Sequence, residues 1–284
     1  MSVISPCAPA IPGTTEHWAT LDGHRLRYLQ TGAGRPLLMI HGLLGYSFSW
    51  RFNYEALGQV RDVIAPDLLG TGFSDRPRDL DYSTEACARR MLQLMDAIGA
   101  EHFDLLGTSH GGGVAVMVAA FAPERVRKLI LVAPVNPWSK HGLWITRVLA
   151  TPIARATFRT VAPAFRGTNN FWLSRMYGDP RRIAPGTLEG YMQPLLIEGT
   201  WDYGLSVVET WHADLEKLAS AYPQIKHETL LLWGDRDPAV FVSSAKEIQR
   251  VMPQAQLEVF PGAGHLPYEE VPEEFNRVLL KFLQ

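Results

Sequence analysis

Cysteine is nearly missing from this chain: two in 284 residues, Cys7 and Cys87, make no disulfide framework. They read as two unrelated thiols of a reducing compartment, and the expected location is the cytoplasm. No stretch approaches the ~18 consecutive apolar residues of a membrane span, so no membrane partner is expected. Met1 to Gly13 has three prolines but no Lys, Arg or apolar run, which argues against a signal peptide. Charge of one sign is also missing. The 27 Lys and Arg against 29 Asp and Glu leave a net charge of −2, with no basic surplus to hold a nucleic acid. Internal repeats and low-complexity tracts are absent, and no motif specifies an oligomeric state. What is present is a core-forming composition, 46% hydrophobic and 20% charged, long enough for one large or two small domains.

Taken in order, the chain opens with an arm, Met1 to Thr15, expected to be flexible. Glu16 to Leu21 and His24 to Thr31 flank Asp22-Gly23, a hairpin signal. Short apolar runs then recur at Pro36–Ile40, Val63–Ala65, Asp104–Leu106, Leu129–Val132, Leu230–Trp233 and Leu257–Phe260. Between them lie segments with helical signals: Phe48–Leu57, Thr84–Ile98, Ser243–Val251 and Glu273–Leu283. Short buried strands alternating with helices predict a doubly wound, mostly parallel sheet covered on both faces, an α/β fold. The alternation stops between Pro134 and about Tyr222, where Trp, Tyr, Phe and Met are dense and prolines break the helical patches. The predicted organisation is a core of residues 1–134 and 223–284, with a helical insert over 135–222.

The most informative stretch runs from Asp104 to Val116. A buried strand passes through Gly107-Thr108-Ser109-His110-Gly111 into an Ala- and Val-rich helix. A Gly-x-Ser-x-Gly alone is weak, since any loop can carry it. Between a strand and a helix it marks a tight turn that projects the serine hydroxyl above the sheet edge, with the His110 N–H aimed at the same space. A serine hydroxyl needs an adjacent base to act as a nucleophile, and that base needs a carboxylate to fix its tautomer. Of nine histidines, His265 has the context, in Gly262-Ala263-Gly264-His265-Leu266-Pro267 directly after a strand. His102, His212 and His227 read as solvated or structural. For the acid, Gly234-Asp235-Arg236-Asp237-Pro238 offers two carboxylates, and spacing alone leaves both open.

With His41-Gly42 and Asp67-x-x-Gly70-x-Gly72-x-Ser74, these motifs resemble the α/β-hydrolase superfamily over nearly the whole chain. In that family the acid usually stands three places after the glycine. The resemblance therefore implies Asp237, with Asp235 bracing its turn. It implies an oxyanion hole from the backbone N–H groups of Leu43 and His110, a bracing role for His41, and a helical cap. It implies no cofactor and no metal. Departures narrow the field. Ser109 stands where relatives that open epoxides or remove halide carry Asp, and Leu44 stands where epoxide hydrolases carry Pro. Asn136 is uncharged at the alternative acid position. Leu266 follows the histidine where carbon–carbon bond hydrolases usually carry Trp.

Substrate selection is expected in the insert, a mobile cover over the sheet's carboxyl edge. Trp138, Trp144, Tyr177 and Trp201 are its candidate pocket residues. Asn136 to Thr200 holds eight Lys or Arg and three Asp or Glu, read as a solvated face rather than an attractor of anions. The leading expectation is hydrolysis of a small-molecule carboxylic ester with a small to medium apolar acyl group. The alternatives keep the serine but change the bond (carbon–carbon, lactone, amide or peracid), or keep the fold as a ligand-binding receptor.

Overall fold

The computed structural model describes residues 6–139, 143–161 and 169–284. Eight strands form one sheet in the order β1-β2-β4-β3-β5-β6-β7-β8. They are β1 (Thr15–Leu21), β2 (His24–Thr31), β3 (Pro36–Ile40), β4 (Asp62–Pro66), β5 (Phe103–Thr108), β6 (Val126–Val132), β7 (Glu228–Gly234) and β8 (Gln256–Phe260). The Asp22-Gly23 turn, with both residues at positive φ, makes β1–β2 antiparallel. β2 pairs antiparallel with β4, and every other pair is parallel.

The apolar runs lack polar alternation because both faces are covered. Leu38, Ile40, Leu105, Leu129, Leu131, Leu231 and Trp233 join the core on one face. Their sequence neighbours Leu37, Met39, Leu106, Ile130, Val132, Leu230 and Leu232 join a separate core on the other. The helices of the core are α1 (Tyr54–Gly58), α2 (Thr84–Ala97) and α3 (Ser109–Phe121). Between β6 and β7 come α4 (Leu143–Leu149), α5 (Pro152–Val161), α6 (Asn169–Ser174), α7 (Thr187–Leu195) and α8 (Thr200–Ala221). Then follow α9 (Ser243–Val251), α10 (Pro267–Glu270) and α11 (Pro272–Leu283). Among the described residues, no helix is long and apolar enough to cross a membrane.

Several prolines of the insert start elements rather than break them. Pro152 opens α5 and Pro180 opens a 3₁₀ turn, where the missing N–H is no loss. The last helix of the insert belongs as much to the core: Tyr203, Val207, Leu215 and Leu218 of α8 are buried in the same cluster as α3. Among the described residues of the insert, Arg155 pairs with Glu209 and Arg159 with Asp202. Its outer face is more apolar than its charge count implies, with Trp144, Ile145, Val148 and Ile153 all exposed. The N-terminal arm is tied down from Cys7 onward. Cys7 N–H reaches Gln193 Oε1 at 3.4 Å, and Ile11 packs on the core. Residues 1–5 lie outside the described residues.

Candidate active site

Ser109 directly follows β5, whose six residues are all buried, and is the first residue of α3. Its φ is +52°, a conformation costly for any side chain with a Cβ. The close approach of helix to sheet explains the flanking glycines. A Cβ on Gly107 would lie 2.3 Å from Gly111 O, and one on Gly111 would lie 2.2 Å from His41 O. The Val135 N–H donates to Ser109 O at 2.9 Å and fastens the turn to the exit of β6.

The loop after β3 passes beside this serine. A Cβ built on Gly42 would sit 3.2 Å from Ser109 Cβ. The loop folds back through Gly45 N–H to Gly42 O at 3.0 Å, with Leu44 at φ +57°. His41 holds it in place. Its Nδ1 donates to Gly42 O at 2.8 Å, while its Nε2 accepts from Leu68 N–H at 3.0 Å. That tautomer follows from the partners. Burial lowers the pKa of His41, so the ring acts as a neutral brace. The loop from Asp67 to Pro77 is locked by Asp67, which accepts from Ser47 N–H, Phe73 N–H and Arg27 Nη1. None of its residues lines the cavity described below.

His265 and Asp237 come from the loops after β8 and β7. His265 Nδ1 donates to Asp237 Oδ2 at 2.7 Å, and both residues are buried. Asp237 Oδ1 accepts from Ala239 N–H at 2.8 Å and Val240 N–H at 2.9 Å, which fixes the carboxylate plane. Asp235 points elsewhere and accepts from Gly262 N–H at 2.7 Å, bracing the histidine loop. With its proton on Nδ1, the imidazole has Nε2 available as a base. Asn136 caps its own turn, its Oδ1 accepting from Trp138 N–H and Ser139 N–H.

Ser109 and His265 line one cavity of about 740 Å³, together with Leu43 and Leu44. The insert closes it with Phe158, Val161, Met192, Leu195 and Trp201. Among its described lining residues there is no Lys, Arg, Asp or Glu. Of the four aromatic residues expected at the pocket, Trp201 lines it, edge-on to Phe158 at 5.8 Å between ring centroids. The other three lie elsewhere. Trp138 packs edge-to-face on Tyr222 in the core at 5.4 Å. Trp144 is 70% exposed on the outer face of α4. Tyr177 is buried, its hydroxyl donating to Glu269 Oε2 at 2.5 Å. Aromatic content alone does not tell which face of an insert helix turns inward. The residues missed include Ser49, Phe158, Met176, Tyr191 and Met192. Only the spacing Phe158–Val161 and Met192–Leu195 would have hinted at two of the inward faces.

Among the described residues, no cluster of three or more His, Cys, Asp or Glu could hold a cation.

A family model described as the alpha/beta hydrolase fold matches residues 35–272. A 2-hydroxymuconate semialdehyde hydrolase of Pseudomonas sp. (strain CF600) is 29% identical over 265 residues, covering 92% of this chain and 91% of the relative. Lipase 1 of Psychrobacter immobilis is 29% identical over 263 residues, covering 89% of this chain and 78% of the lipase. Among solved structures, a meta-cleavage product hydrolase of Pseudomonas fluorescens IP01 superposes with a TM-score of 0.79 at 26% identity, over 94% of this chain and 97% of that one.

Proposed function

This chain belongs to the alpha/beta hydrolase family, and from that premise we propose that it is a serine hydrolase of carboxylic esters with small to medium apolar acyl groups. Ser109 Oγ attacks the acyl carbon while His265 Nε2 takes its proton. Asp237, already hydrogen-bonded to Nδ1 at 2.7 Å, stabilises the imidazolium that forms. The backbone N–H groups of Leu43 and His110 receive the developing oxyanion, each worth ~10²–10³ in rate in comparable sites. The imidazolium then protonates the leaving alkoxide. Water repeats the sequence on the acyl-enzyme.

The observation that carries this reading is the buried His265–Asp237 pair opening onto the same cavity as a serine at φ +52°. The lining favours an ester over an acidic ring-cleavage product. Burying a carboxylate with no counter-charge costs several kcal/mol, and the described lining offers no cation. Carbon–carbon bond cleavage is the second reading, supported by the two relatives named for it.

The test is a kcat/KM series on p-nitrophenyl esters of increasing acyl length, with a ring-cleavage diketone alongside. Each buried methylene adds about 0.8 kcal/mol until the wall is met, so specificity should rise and then fall, with an optimum at about four to eight carbons. Ser109→Ala should lower kcat by about 10⁴-fold or more, fold normally, and escape labelling by an organophosphonate. Labelling at another serine would refute the assignment. Cleavage of the diketone with no ester turned over would replace ester by carbon–carbon hydrolysis.

A further inference from the structure

Besides Ser109 and His265, the mostly apolar lining carries the polar side chains of Ser49, Tyr191, Trp201 and Tyr268, of which Ser49 and Tyr191 meet each other at 2.9 Å. Ser49 lies in a 3₁₀ turn (Ser47–Trp50) and Tyr191 in α7. Behind them is a buried chain of polar groups. Arg51 Nη2 donates to Glu269 Oε2 at 2.7 Å, and Tyr177 OH donates to the same oxygen at 2.5 Å. Two acceptors face the Tyr191 hydroxyl: Glu269 Oε1, in a very short contact, and Ser49 Oγ at 2.9 Å.

A phenol has one proton to give. The carboxylate is the stronger acceptor, so Tyr191 donates to Glu269. Burial, and then the charge of Glu269, hold the Tyr191 phenol well above its usual range, so the proton stays on it. The contact with Ser49 must then run the other way, from the Ser49 hydroxyl to Tyr191 Oη. That uses the only proton Ser49 has. Its oxygen can offer the cavity nothing but lone pairs.

This spot lies near the reacting centre. A Cβ on Gly45 would be 3.3 Å from Ser49 Oγ and 3.1 Å from Gly42 O, and Gly42 flanks Ser109. We propose that Ser49 is a specificity residue, an obligate acceptor, and that the substrate carries a hydrogen-bond donor, a hydroxyl group, on one of the first carbons of its acyl chain. Glu269 and Tyr191 are positioning residues that set the direction of the Ser49 hydroxyl. The inference rests on the ester reading above, but its test needs no turnover.

The experiment is equilibrium binding by calorimetry to Ser109→Ala protein. The probes are phenyl hexanoate, its 2-hydroxy and 3-hydroxy derivatives, and the matching methoxy esters, which accept but cannot donate. At one of the two positions the hydroxy ester should bind about three- to tenfold more tightly than the parent, and the methoxy ester no better than the parent. Adding Ser49→Ala should bring the hydroxy-to-parent ratio to about one. Adding Tyr191→Phe should free the Ser49 proton and let the methoxy ester gain on the parent, which a merely structural role would not produce. Equal binding of hydroxy and parent esters, no binding of any of them, or a preference for methoxy with Tyr191 intact would overturn the proposal. If the hydroxy preference holds but the wild-type protein turns over none of these esters, the ester reading fails and the acceptor site stands.

Discussion

Asp235 and Asp237 stand two residues apart, yet their carboxylates do different work. Asp237 Oδ2 meets His265 Nδ1, whereas Asp235 accepts a backbone N–H from Gly262. Replacing Asp237 by Asn turns an acceptor into a donor and favours the wrong imidazole tautomer. A loss of ~10⁴ in kcat is expected, the size that the same substitution of the triad acid has in a serine protease. Asp235→Asn keeps an amide oxygen for Gly262 and should cost less than about tenfold. Steady-state kinetics of the two variants check this, and the reverse ranking would exchange their roles. Sequence reading singled out Ser109 and His265 because each follows a strand in a glycine-marked stretch, whereas spacing left Asp235 and Asp237 both open and only the family resemblance pointed to Asp237. Ser49 and Tyr191 carry no such mark. Their place at the cavity depends on a contact between residues 142 positions apart, which no local pattern encodes.

Among the elements, the loop carrying His265 is tied to the insert as well as to the sheet. His265 N–H donates to Met176 O at 2.7 Å. Glu270 of α10 accepts from Gly264 N–H at 2.6 Å on the histidine loop and from Gly178 and Asp179 N–H on the insert. One buried carboxylate thus clips the two segments together. Glu270→Gln would leave an amide NH₂ facing backbone donors, at about 1–3 kcal/mol for the unmet groups. The melting temperature should fall by several degrees and kcat should fall with it. An unchanged kcat with a lowered melting temperature would confine the clip to stability. The four-residue α10 escapes sequence analysis because one turn has no periodicity to read. By contrast α9 starts and ends where its apolar spacing places it, at Ser243 and Val251.

Across the whole molecule, one pH signal comes from His110. Its side chain is 1% exposed, and neither ring nitrogen has a partner among the described residues. Burial pushes its pKa down from 6.5 to about 4, with His41 adding to the shift. Between those values the unfolded chain binds a proton that the folded chain does not. Stability from this group is therefore complete above about pH 6.5 and is lost as pH falls toward about 4. His110→Met keeps the backbone N–H beside Ser109 but removes the titration. Between pH 7 and 4.5 the wild-type protein should lose about 2 kcal/mol more unfolding free energy than the variant. Chemical denaturation at the two pH values measures it, and parallel curves would exclude the effect.

Strands β6 and β7 lie side by side, although the chain between them builds every helix from α4 to α8. The excursion leaves the carboxyl end of β6 and returns to the amino end of the parallel β7, so beyond the span of that crossover its length matters to the sheet mainly through loop-closure entropy. That term grows with the logarithm of length. Extending a minimal crossover of about a dozen residues to the roughly 95 found here costs about 2 kcal/mol. Chain length between these two strands is thus among the cheapest variables in the molecule. An insertion or deletion in the excursion, away from α8 and the clip at Glu270, changes the walls of the cavity while leaving the strand register almost indifferent to it.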